Sequence, residues 1–397
     1  MKRFVFVLFA FVFALAPAGA LFAQSDPADV FCGDLAEEDC ALLVDAAAAD
    51  QEVAEGAYDM VFDFELNGVP NAPMDDLAFT WMQTARYRMN AGLADAMMGM
   101  EEMDPMMMAD MDTLTELMTA VVENVDTHQD FTVQLSDEIA GMLSEQVGFP
   151  LPEEINLGLV IVDGIGYVNL DDIAVLVPDA EGLTGWVGTE LAPVLAEILA
   201  QAAEDPDFQE AMAPLAMAIG GSMAGSQMAD EQAEALKAFQ SVERGRDADI
   251  DGEEAAVFSS DFDFVSFISS PVFFSMLTEQ LAMMGDDAPS GAELQQVQFM
   301  MPMIAPMLFG GLNFAADQYV GLDSGYTLRT ETALNWDLSS LAGLAAMTGD
   351  PSMAESLPSY FGYSLVVDSY DQNDVGDIEA PADAVVVDAD MLVDSMQ

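Results

Sequence analysis

Residues 58–66 read YDMVFDFEL, in which Tyr58, Met60, Phe62, Phe64 and Leu66 alternate with Asp59, Asp63 and Glu65. A repeat of two sends successive side chains to opposite sides of an extended chain, so the stretch predicts a strand with one aromatic face and one carboxylate face. A helix would scatter both sets around its axis. Asn67-Gly68 opens a turn, and the next run puts Phe79, Trp81, Ala85, Tyr87 and Met89 on one face, with Thr80, Thr84, Arg86 and Arg88 on the other. LGLVIV and IGYVNL flank Asp163-Gly164, a hairpin signal. A further pair spans Val320 to Leu334, with Tyr326, Leu328, Thr330, Thr332 and Leu334 in phase. Phe361, Tyr363, Leu365 and Val367 complete the set. The pattern is that of antiparallel strands with one wet, acidic face.

Helical segments are expected near 34–49, 110–125, 190–202, 207–240 in pieces, 271–284, 292–309 and 339–347. Pro271 suits a first helical turn after Ser269-Ser270. FFSMLTEQLAMM and VQFMMPMIAPMLF are apolar nearly all round, so these helices should be buried on several sides. The expected class is α+β: a long, curved antiparallel sheet with an aromatic inner face, packed against apolar helices.

The N-terminus runs from MKR into FVFVLFAFVFALAPAGALFA, the pattern of a secretory leader, with cleavage after Ala20 or Ala23. No lipobox is present, because Cys32 follows Asp29-Val30-Phe31 rather than a small residue. No later stretch reads as a membrane span; Val297 to Leu312 is short and carries Pro302 and Pro306. The expected product is exported, periplasmic or extracellular, and soluble, without stable membrane insertion. Eight basic residues, two of them in the leader, face 71 acidic ones. Such a charge repels nucleic acid and anionic lipid surfaces, and with 52% hydrophobic residues it belongs to a folded chain rather than an acidic tail. Cys32 and Cys40 are the only cysteines, and export makes a disulfide the expected pairing. Asp34-Leu35-Ala36-Glu37 reads as a capping box. Two cysteines eight residues apart on one straight helix would sit about 12 Å apart, so Cys32 has to fold back over the first turn.

Asp247, Asp249, Asp251 and Gly252 occupy the first, third, fifth and sixth positions of a calcium loop. The eighth position is Glu254 and the twelfth Phe258, where an aliphatic side chain and a bidentate carboxylate belong. With Ala256, Phe258, Phe262 and Phe264 continuing in strand phase, the stretch reads as a hairpin turning at Asp251-Gly252. His128, the only histidine, lies in a polar stretch ahead of a strand. Gly220-Gly221-Ser222-Met223-Ala224 lacks the form of a nucleophile elbow. No acidic pair is singled out for catalysis, and no cofactor is implied. The segment MMGMEEMDPMMMADM could hold Cu(I) through thioethers, but without His or Cys nearby it reads better as a pliable apolar lid.

The hairpin SVERGRDADIDGEEAAVF, the run GYVNL followed by Gly185-Trp186, QYVGLDSGYTLR and the tail YSLVVDSYDQNDVGDIEAPADAVVV occur in an order that resembles the LolA/LppX-type lipoprotein and lipid carriers of the bacterial envelope. The resemblance covers roughly residues 57–387. It implies a half-barrel sheet wrapped around helices, with an apolar cavity for acyl chains. The missing lipobox and the Met-rich helical insertions depart from that pattern. The organisation expected is a leader at 1–23, a helical segment with the Cys pair at 24–56, and one LolA/LppX-like α+β domain at 57–397.

The function expected is a non-catalytic binding protein that carries or senses a lipid or other hydrophobic ligand. The alternative is an envelope structural or surface-interaction protein with a filled core, and a Ca²⁺ or Cu⁺ binder is a third reading. Strand parity gives the ligand wall as Phe62, Phe64, Phe79, Trp81 and Tyr87, then Phe258, Phe262 and Phe264. Tyr326, Leu328, Tyr363 and Leu365 should complete it, with Phe299, Met300, Met303 and Met307 facing it from the apolar helix.

Overall fold

The computed structural model describes residues 30–68, 76–90, 92–93, 111–147, 150–173, 184–204, 235–283, 291–339 and 358–389. The leader, the Met-rich segment up to 110, most of the stretch expected as helix pieces at 207–240, and all but the first residue of the helix expected at 339–347 lie outside them.

The architecture is α+β. Among the described residues thirteen strands form one open sheet in the order β13-β6-β5-β4-β3-β2-β1-β12-β11-β10-β9-β7, with β8 pairing β9 off that path. All pairings are antiparallel except β13 (Val385–Val386) beside β6 (Trp186–Glu190). The centre is β1 (Glu55–Asn67) between β2 (Asp76–Met89) and β12 (Tyr360–Tyr370). Phe62 pairs with Trp81 and Leu365, and Phe64 with Phe79 and Tyr363, so the alternation in each strand falls into one aromatic face. The opposite face carries Asp59, Asp63 and Glu65, together with Arg86 and Arg88.

Beyond β2 follow β3 (Val125–Leu135), β4 (Glu154–Val162), β5 (Ile165–Asn169) and β6. Asp163 and Gly164 both take positive φ, 52° and 76°, which closes the β4–β5 hairpin as the sequence predicts. On the other side β12 meets β11 (Thr327–Asp337), β10 (Leu312–Gly321), β9 (Glu253–Phe262) and β7 (Gln240–Arg244). β8 (Ala248–Ile250) turns into β9 at Asp251 and Gly252, with φ of 52° and 94°. The stretch resembling a calcium loop is thus a hairpin. Its Asp249 carboxylate accepts the Gly252 N–H at 3.1 Å, and Asp247 is paired with Arg244.

Helices close the aromatic face over both flanks of the sheet. On one flank Val122 of α2 (Met111–Asn124), with Leu191 and Leu195 of α5 (Leu191–Glu204), packs against Phe131, Leu159 and Ile161; Trp81 borders this core. On the other flank Leu43 and Ala46 of α1 (Glu37–Gln51) pack against Val242, Ala256, Phe258 and Val320. α3 (Asp137–Val147) and the one-turn α4 (Leu170–Ile173) follow β3 and β5, and neither is expected from the sequence. α1 starts at Glu37, with Ala36 rather than Asp34 at its N-cap and no side-chain cap bond, so the capping box does not form. Cys32 folds back over the first turn and is bridged to Cys40 with Cα atoms 5.3 Å apart, while Gly33 at φ 51° makes the reversal.

Two local departures matter. β9 ends at Phe262, and Asp263 accepts the Ser266 N–H at 2.9 Å to cap the short helix α6 (Phe264–Ile268). Phe264 is therefore helical rather than a continuation of the strand; capping by Asp263 overrides the alternation. His128 lies inside β3, on the polar face beside Arg86, rather than ahead of the strand. α7 (Pro271–Met283) starts at Pro271 as expected, its Ser270 hydroxyl accepting the Phe273 N–H at 3.3 Å.

Candidate functional site

The centre of the aromatic face is where the flanking helices leave side chains half-buried. Phe62, Phe64, Phe79, Phe361 and Tyr363 form one set of touching rings. Phe64 stacks on Phe79 with centroids 5.2 Å apart, and Phe361 meets Phe64 edge-on at 5.6 Å. Burial lifts the Tyr363 phenol above its ordinary pKa. Leu365, opposite Phe62 in the register, is half-buried beside them. Cross-strand pairing of β1 with β2 and β12 holds these rings together on one face, in the phase that strand parity gives them.

The other expected wall residues scatter. Trp81 sits edge-on to Phe131 at 5.5 Å, at the border of the α2/α5 core. Phe258, only 1% exposed, is packed under α1 with the Arg244 guanidinium 5.3 Å from its ring, so it is core rather than lining. Phe262 and Phe264 contact each other at 4.7 Å, and Phe262 also meets Phe267. Phe264 reaches Phe314 of β10 at 6.3 Å, which keeps this aromatic group next to the sheet.

Leu328 is moved to the opposite face. The β10–β11 register shifts between Tyr319 and Val320, and this bulge puts Leu328 against Ile250, Ala255 and Tyr319. Tyr326 lies in the turn before β11, its carbonyl accepting the Gly321 N–H, and so stands off the central wall. On α8 (Gly291–Phe309) Phe299 and Met303 are 80% and 65% exposed, Met307 is exposed too, and Met300 is half-buried. Ala305 is the buried side of that helix; Phe309 stacks on Trp336, whose indole N–H donates to the Leu308 carbonyl at 3.0 Å. The burial of α8 on several sides expected from its sequence therefore does not extend to Phe299, Met303 and Met307.

Tyr87 belongs to a polar group at the other end of the central strands, one that alternation alone does not reveal. Tyr58, Gln83, Thr127 and Gln129 share the aromatic face yet are buried. Gln83 Nε2 donates to Tyr58 Oη at 2.8 Å and to Gln129 Oε1 at 3.2 Å, and Gln129 Nε2 donates to Thr127 Oγ1 at 3.0 Å. The Tyr87 ring lies 6.3 Å from that of Tyr58. Burial, with the nearby Asp50 carboxylate second, pushes the Tyr87 phenol up to about 12. Burial raises Tyr58 as well, and raises the Asp50 carboxyl against the opposing hydrogen bond from Thr327. Both phenols stay protonated at neutral pH. Two glutamines at successive inward positions of paired strands are the signal that could have flagged this group.

A groove of about 480 Å³ opens at the far end of the central strands, among Asp63, Glu65, Thr80, Gln134, Asn335 and Ser364 of the polar face, with Phe64, Phe79 and Tyr363 also bordering it. A smaller one of about 280 Å³ lies by Pro306, Met307 and Asp337. Among the described residues no group of His, Cys, Asp or Glu is placed to hold a metal ion, and no helix is long and apolar enough to cross a membrane.

No protein-family model matches the chain, and no curated protein matches it either. Among solved structures, the Mycobacterium tuberculosis lipoprotein LppX aligns over 85% of this chain and 97% of its own, at 8% identity and a TM-score of 0.27. A DUF1329 family protein from Desulfovibrio piger aligns over 85% of this chain and 94% of its own, at 8% identity and a TM-score of 0.16. Both are likenesses of fold, too loose to carry an argument about function.

Proposed function

We propose that the protein is an exported, non-catalytic carrier or receptor for a hydrophobic ligand, with an acyl chain lying against the half-buried rings of the central strands. One observation carries the reading. Phe62, Phe64, Phe79, Phe361 and Tyr363 stay half-buried in mutual contact while both flanks of the same face are closed under helices. Apolar surface of this kind stays in water at a cost of about 25 cal/mol per Å², and a ligand chain removes that cost. The ligand-contacting set proposed is Phe62, Phe64, Phe79, Tyr363 and Leu365, with Trp81 at its edge. Export is supported by the leader-like N-terminus and the Cys32–Cys40 bridge, which suits an oxidising compartment. Residues 57–397 are proposed as one body, with α1 docked on it through Leu43 and Ala46.

The filled flanks support the competing reading of a structural envelope protein. Native mass spectrometry of protein purified without detergent separates the two. The carrier reading expects a co-purified mass in the lipid range that organic solvent removes. Bare protein, with no saturable uptake of an added acyl-chain fluorophore, would establish the filled-core reading instead.

A further inference from the structure

Gln83 is 2% exposed and Gln129 0%, on the same face as Phe62, Phe64 and Phe79. Gln83 spends its Nε2 on Tyr58 and Gln129, and its Oε1 has no hydrogen-bond partner. Exchanging O and N of this amide moves the unmet atom but does not remove it, because the far side of the group has no partner in either orientation. A buried polar atom left unmatched is rare in a folded protein, and it marks a place that a polar group can occupy. Apolar residues are adjacent: Gln83 pairs with Met60, and the next inward pair is Phe62 with Trp81. From Gln83 to Phe79 the strand advances four residues, about 13 Å. The face thus runs from a buried uncharged polar end to a half-buried ring cluster.

Resting on the carrier reading above, we propose that the ligand is an amphiphile with an uncharged, hydroxyl-type head, seated head-first so that the hydroxyl hydrogen-bonds the Gln83 side-chain amide and the chain lies along Phe62, Phe64 and Phe79. The surroundings select this head chemistry. The group around Gln83 consists of protonated phenols, amides and a threonine hydroxyl, with the Asp50 carboxylate near Tyr87 and no cation among its described members. A carboxylate or phosphate head would be desolvated there without a counter-charge, whereas a hydroxyl can both donate and accept.

The test is a displacement titration of a bound acyl-chain fluorophore by dodecanol, dodecyl methyl ether and dodecanoate, on wild type, Gln83→Leu and Gln83→Met, each variant checked by thermal melting. The expected result is dodecanol binding at least about tenfold more tightly than the ether or the carboxylate in wild type. That preference should collapse toward parity in either folded variant while the ether's affinity is unchanged. If all three probes bind equally in wild type, or the preference survives both substitutions, the head-first assignment is wrong and the carrier reading stands. An unmet amide satisfied only by an ordered water gives that same outcome. If no probe displaces the fluorophore and none binds, both readings fall.

Discussion

The flank under α1 and the centre of the sheet are written in the same alternating code but are completed differently. At the flank Phe258 receives Leu43 and Ala46 from a helix whose first turn a disulfide ties to the chain ahead of it. At the centre Phe64 and its neighbours, among the described residues, make their ring contacts with one another. Alternation decides which side chains share a face, and it says nothing about what covers that face. The cover comes from helices whose docking is specified elsewhere in the chain. One aromatic surface can therefore serve as core at its edges and as a candidate binding wall at its centre.

Substitutions can break or sharpen this contrast. Phe258→Ala should cost about 3 to 5 kcal/mol in denaturant unfolding and leave acyl-probe affinity unchanged in the folded fraction. Opening the bridge with Cys32→Ser and Cys40→Ser together should cost about 2 kcal/mol, given the sequence separation of 8, again with no change in probe affinity. Phe64→Ala should cost less, about 1 to 2 kcal/mol, because the ring is only half-buried, but it should weaken probe binding at least about fivefold. A loss at Phe64 matching that at Phe258, with binding intact, would erase the distinction between the regions.

Two smaller effects concern the elements that hold the flank. Asp263→Ala removes the cap of the helix carrying Phe264 and should cost about 1 kcal/mol at neutral pH. The Ser266 hydrogen bonds hold the Asp263 carboxyl below its ordinary pKa, so its contribution is present above that ordinary value and is lost as pH falls through the lowered one. The difference between variant and wild type, read from thermal melts, should shrink in acid. Asp50 has the opposite sign. Burial raises its pKa, so the folded chain holds that proton more tightly than the unfolded chain, and stability declines as pH rises from the ordinary carboxylate range through the raised value. Asp50→Asn should therefore gain a few tenths of a kcal/mol relative to wild type between acidic and neutral pH.

The alternation made the central strands legible because their inward positions are mostly apolar and their outward ones mostly polar. The hairpins at Asp163-Gly164 and Asp251-Gly252 were legible because few residues accept two successive positive φ values. Phe264 was misplaced because one side-chain cap at Asp263 outweighs a repeat that continues past it. Leu328 was misplaced because a bulge inverts parity without leaving a mark in a hydrophobic count. The exposed stripe of α8 was hidden by composition, since an apolar residue is not thereby a buried one. The Gln83–Gln129 pair escaped because register, which no single strand encodes, is what brings the two amides together.

The central claim is that the rings of β1, β2 and β12 bind a chain and the rings under α1 do not. The most direct measurement is a titration of a fluorescent acyl-chain probe into delipidated wild type, the Phe64→Ala, Phe79→Ala double variant, and Phe258→Ala, each at a temperature where the protein is folded. The account predicts saturable binding to wild type and Phe258→Ala with closely similar affinities, and at least about tenfold weaker binding to the double variant. Equal binding by all three proteins, or weakening confined to Phe258→Ala, would contradict it.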